Sequence, residues 1–167
     1  MATYTLISSV TVGSGGAANI EFTSIPGTYT DLLVKVSARA NTGSDNNNLQ
    51  IDFNSSSANR SARELYGTGS AAGSATLTDM RFGYTSANGS TSNTFGNAEI
   101  YIPNYTSSNN KSSSAEGVAE TNATGAFMAM EANLWSQTAA ITSIKIYAES
   151  DTLMQYSTAY LYGISNA

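Results

Sequence analysis

Alternation at period two governs what this chain can form. Leu49, Ile51 and Phe53 alternate with Gln50, Asp52 and Asn54, and Leu32, Val34, Val36, Ala38 and Ala40 stand opposite Lys35, Ser37 and Arg39. Successive side chains of a strand point to opposite faces, so each run predicts a half-buried strand with one face on a core. Ile20 and Phe22 repeat the pattern within 19–25, a run stopped at Pro26-Gly27, as do Ala98, Ile100 and Ile102 opposite Glu99, Tyr101 and Tyr105 within 97–105. Further strands are expected at 4–12, 76–84, 111–121, 127–135, 141–148 and 154–164. No long amphipathic helix is written anywhere. The expectation is an all-β single domain over residues 1–167, a β-sandwich or jelly roll of nine or ten antiparallel strands. Its core should hold Ile20, Phe22, Val34, Val36, Leu49, Ile51, Phe53, Ile100, Ile102, Ile144, Ile146 and Leu161.

Two stretches pull against the pattern. AFMAMEANLW, residues 126–135, is rich in helix formers, yet its short length and Thr, Gly and Ser flanks favour a strand. Residues 41–48 read as a polar loop. Residues 55–74 are dominated by Ser, Gly and Ala and read as loop too, with at most one helical turn at 61–65, where Ser61 can cap and Glu64 follows three residues later. That loop, with Leu65 and Tyr66 in its middle, is expected to order on meeting a neighbouring subunit.

Composition decides whether so polar a chain folds. Ser, Thr, Asn and Gly supply 75 of the 167 residues and charged residues only 11%, against about 25% in an ordinary domain. Ten Tyr and five Phe, with many β-branched residues, are what disordered chains lack. A net charge of -5 with seven scattered Lys and Arg argues against nucleic acid and against an anionic membrane as partner. The opening Met1-Ala2-Thr3-Tyr4-Thr5 has neither a basic nor an apolar region of the signal-peptide kind, and no apolar run approaches a membrane span. Synthesis in a cytoplasm without ordinary secretion is the expectation.

Catalytic chemistry is thinly supplied. With no His and no Cys, the usual general base, nucleophilic thiolate and zinc ligands are missing. No catalytic, metal or cofactor residue is assigned, and no enzyme activity is expected. Twelve carboxylates leave a carbohydrate-active enzyme as a remote alternative, recognisable by a convergent carboxylate pair. Asp45-Asn46-Asn47-Asn48 with Asp52 offers oxygens to calcium but reads equally as a polar turn. Trp135 could stack on a sugar or plug the core. In the last strand Tyr156, Tyr160 and Tyr162 share a face, either lining the core or meeting another subunit; Leu65, Tyr66, Tyr101 and Tyr105 complete the subunit-contact candidates.

The runs NTFGNAEIYIPNY, LWSQTAAITSIKIY and STAYLYGI, with the opening YTLISSVTV and the Pro26-Gly27 turn, resemble small β proteins encoded by tailed bacteriophages, marine ones especially. Such proteins are jelly-roll virion components: head decoration proteins, head fibres and tail-fibre modules. The resemblance implies virion localisation and a capsid decoration role, with the major capsid protein or another virion protein as partner. A homotrimer is expected. The alternative is a receptor- or glycan-binding fibre module, which would carry an exposed aromatic or carboxylate cluster in its loops. No residue roles carry over.

Overall fold

The computed structural model describes residues 1–122 and 125–165 and is all-β, without a helix among them. Twelve strands follow in order: β1 Thr3–Thr11, β2 Ile20–Phe22, β3 Asp31–Ala38, β4 Asn46–Phe53, β5 Arg60–Gly67, β6 Ala72–Leu77, β7 Arg81–Ser86, β8 Gly96–Ile102, β9 Lys111–Ala119, β10 Phe127–Trp135, β11 Ile144–Ala148 and β12 Thr158–Ser165. They form two antiparallel sheets in a sandwich-like pair, one of eight strands in the order β1-β12-β3-β8-β9-β10-β5-β6 and one of four in the order β2-β11-β4-β7. All the core residues named from alternation are buried. Trp135 is a core plug, edge-on to Phe53 at 5.7 Å between ring centroids. Ile100 pairs with Val34 on one side and Ala115 on the other, at the centre of the large sheet. Ile100→Ala should therefore cost about 2–5 kcal/mol, because a buried cavity adds to the lost transfer energy. Urea unfolding monitored by circular dichroism would read the loss as a lower midpoint at unchanged slope.

Several expectations need correcting. The strand count of nine or ten falls short of the twelve described. Residues 60–77 hold the hairpin β5–β6 rather than a loop, and no helical turn forms at 61–65. The run 76–84 divides between β6 and β7, and the supposed loop 41–48 already contains the start of β4. Hairpin pairing along a whole edge outweighs the local capping signal at Ser61. The physical reason is visible in β5, where Glu64 is buried and Leu65 exposed. The apolar-inward rule runs backwards there. β10 repeats the inversion: Met128, Met130 and Leu134 face outward while Glu131 and Asn133 face in.

What the inward polar residues do is clear from β7, the edge strand of the small sheet. Gly83 N–H donates to Glu131 Oε1 at 2.8 Å, Arg81 N–H to Asn133 Oδ1 at 3.1 Å, and Asn133 Nδ2 to the Arg81 carbonyl at 2.8 Å. The side chains of β10 thus satisfy backbone groups of β7 that no strand pairs. The backbones of β7 and β9 approach at Gly83 and Gly117 without side chains between them. An ideal Cβ on Gly83, whose φ is +92°, would stand 2.4 Å from the Gly117 Cα of β9.

Candidate functional site

The polar inner end of the sandwich contains a convergent carboxylate pair. Glu64 of β5 and Glu131 of β10 are direct cross-strand partners, 3% and 4% exposed. Burial first, and then the neighbouring Glu64 carboxylate, push the Glu131 carboxyl up to about 8, against the pull of the Gly83 N–H and of Arg81. Glu131 is therefore a neutral acid at pH 7. Tyr84 of β7 lies against the same carboxylate, its ring stacked on Phe127 at 4.5 Å, and burial followed by Glu64 raises its phenol far above the usual range. Glu64 Oε1 and Glu131 Oε2 have no hydrogen-bond partner among the described residues. A glycosidase needs its carboxyls open to a substrate. These two are sealed between the sheets.

A second buried acid serves the fold. Asp52, on β4, holds Arg60 at the start of β5 and Lys145 of β11, the latter at 3.1 Å. It is thereby committed away from Asp45 and the turn read as a calcium loop. Among the described residues no group of three or more His, Cys, Asp or Glu could gather round a metal ion.

The opposite, outer face of the large sheet is uncovered. Antiparallel register sets its side chains in cross-strand rows. Tyr160, Lys35, Glu99, Glu116, Met130 and Leu65 form one row, and Tyr162, Leu33, Tyr101, Ser114, Ala132 and Arg63 the next. Leu65, Met128 and Met130 are 64%, 60% and 62% exposed, with Val118 and Leu134 beside them. Shallow depressions of about 390 and 450 Å³ flank Met130 on its two sides. Glu64 and Glu131 are also among the residues that line the second.

The subunit-contact candidates divide in four. Leu65, Tyr101, Tyr160 and Tyr162 share this outer face, but Leu65 on β5 lies five strands from Tyr160 and Tyr162 on β12; Tyr101 also donates its hydroxyl to Asp31 Oδ2 at 2.8 Å. Tyr66 turns to the other side of β5, half-buried near Phe127 and over Gly73. Tyr105 is fully buried with its hydroxyl on the Pro26 carbonyl, which corrects its assignment to an exposed face with Tyr101. Tyr156 precedes β12 and sits in a turn, so it does not share the strand face of Tyr160 and Tyr162. Sequence reading missed Met128, Met130, Val118, Arg63 and Glu116. The signal was the parity of AFMAMEANLW, in which both Met and Leu134 fall on one face and Glu131 and Asn133 on the other.

Compared with known proteins, the chain matches no family model, no curated protein and no solved structure.

Proposed function

We propose that the chain is a non-enzymatic structural protein of a tailed-phage virion, a jelly-roll-like capsid decoration protein that associates with a second copy of itself through the outer face of its large sheet. The supporting observation is the inversion in β5 and β10. The inward Glu131 and Asn133 are explained by their bonds to β7, but none of the described residues covers Leu65, Met128 and Met130, which stand in water. A contiguous apolar patch of this kind marks an interaction surface. Charge chooses the occupant. Glu116 on β9 and Arg63 on β5 lie on either side of Met130, both exposed and, among the described residues, neither in an ion pair, whereas Lys35 is joined to Glu99. Because Arg63 lies one row along from Glu116, a two-fold axis crossing β10 obliquely between Met130 and Ala132 would bring the Arg63 of each copy to the Glu116 of the other and bury the two Met130 side chains side by side. Such self-matching is the signature of an isologous contact.

The virion assignment draws on the resemblance of NTFGNAEIYIPNY and STAYLYGI to phage β proteins, and the number of copies per particle tests it. Decoration proteins cover the lattice and gain affinity by multivalency. Quantitative mass spectrometry of purified particles should give a near-stoichiometric ratio to the major capsid protein. A ratio of a few per cent would replace decoration by the fibre reading, and absence from particles would overturn both.

A further inference from the structure

We propose that the cavity lined by Arg39, Asn93, Phe95, Gln155 and Tyr156, at one end of the sandwich, binds a carboxylate-bearing sugar. The cavity measures about 240 Å³ and lies between the loop after β7 and the turn before β12. It is remote from the Met130 face, and the inference stands whether or not copies associate there.

Three observations converge on it. Arg39 is 5% exposed yet has no carboxylate partner among the described residues. Its guanidinium is held by neutral oxygens alone: Nη1 donates to Ser90 Oγ, Thr91 O, Thr94 O and Thr94 Oγ1 at 2.8–3.1 Å, and Nη2 to Ser90 O at 3.1 Å. A buried cation without a counter-ion, in a chain of net charge -5, is costly unless an anion comes to it. Among the described residues Nε takes no hydrogen bond, which leaves it open to that anion.

Tyr156 is the second observation. Its φ is +71°, a left-handed backbone that costs a bulky residue about 1–2 kcal/mol. Tight bonds impose it: Tyr156 N–H donates to Val12 O at 3.0 Å, Ser157 N–H to Met154 O at 3.1 Å, and Met154 N–H to Arg39 O at 2.8 Å. The ring receives little packing in return, being 68% exposed at the cavity rim. Glycine or asparagine would fit this turn without strain. A tyrosine held there presents an aromatic face to whatever enters.

The third observation is the remaining lining. The amides of Asn93 and Gln155 make no side-chain hydrogen bond among the described residues, so two donor–acceptor groups stand open beside the ring and the cation. An aromatic plate, free amides and one unneutralised guanidinium match a sugar ring, its hydroxyls and one carboxylate. Inorganic phosphate would use the cation but neither the ring nor the amides, and a neutral sugar would leave the charge unanswered.

The test is an amide-resolved magnetic resonance titration of the full chain with glucuronic acid, galacturonic acid and N-acetylneuraminic acid, against glucose and inorganic phosphate. Saturable shifts confined to residues 88–95 and 152–157 are expected with at least one acidic sugar, and glucose should bind roughly tenfold more weakly. Tyr156→Gly should weaken the acidic sugar roughly five- to tenfold. It should also raise the thermal midpoint, which excludes misfolding as the cause. Equal binding of glucose, phosphate binding as tight as the acidic sugar, indifference to Tyr156→Gly, or no saturable shift with any of the acids would each overturn the proposal.

Discussion

Replacing Glu131 by glutamine should stabilise this protein at pH 8 by on the order of 2–4 kcal/mol while changing little at pH 4. The folded chain holds the Glu131 proton up to about pH 8, whereas the unfolded chain releases it near the ordinary value of 4.5. Between those values the unfolded state binds fewer protons, so stability falls as pH rises from about 4.5 to about 8. It is fully present below that window. Burial sets the value first and Glu64 across the ladder second, with the Gly83 N–H and Arg81 of β7 pulling the other way. Glutamine keeps an acceptor for the Gly83 N–H and removes the proton that must be lost. Urea midpoints of wild type and Glu131→Gln across pH 4–9 should converge at the acid end and separate steadily above pH 5. Parallel curves would show that Glu131 titrates normally and that the pair is not sealed.

Gly83→Ala should be the most damaging single methyl in the chain, costing about 3 kcal/mol or more through overpacking and a left-handed backbone together. The new Cβ would meet the Gly117 Cα at 2.4 Å, and backbone cannot rotate aside as a side chain can. Moving β7 away would also stretch the Gly83 bond to Glu131 and the two bonds between Arg81 and Asn133. Gly117→Ala meets Gly83 from the other side at 2.7 Å and should behave alike, whereas Gly13→Ala, with no atom within 4 Å, should leave the melting temperature nearly unchanged. Thermal melts of the three variants separate the cases. Equal melting temperatures would mean that the sheets part easily at β7.

The difference between what could and could not be read from the sequence follows the direction in which side chains point. Strands β3, β4, β8 and β11 place Val, Ile, Leu and Phe inward, and the alternation of LQIDF or LLVKV named their core residues directly. β5 and β10 obey the same geometry with the chemistry reversed. Apolar-inward alternation is therefore absent from β5, and in β10 helix formers compete with a strand that only the short length and the flanks favour. No local signal shows that a glutamate will be spent on the backbone of β7, a strand some fifty residues away in sequence. Tyr156 escaped for a related reason: the turn that precedes β12 is set by Arg39, Val12 and Ser157, which lie far apart along the chain.

Light scattering on the purified protein at micromolar concentration tests the proposed contact most directly. The expected mass is near twice the 17.4 kDa of the chain, falling to one chain in Met130→Lys. Arg63→Glu or Glu116→Arg alone should weaken association roughly tenfold, and the two together should restore it, since the swap rebuilds each ion pair across the axis. A mass of three chains would replace the two-fold contact by a cyclic trimer. A wild-type mass of one chain at every concentration, or a Met130→Lys protein that associates as before, would contradict the claim that this face is an interface between copies.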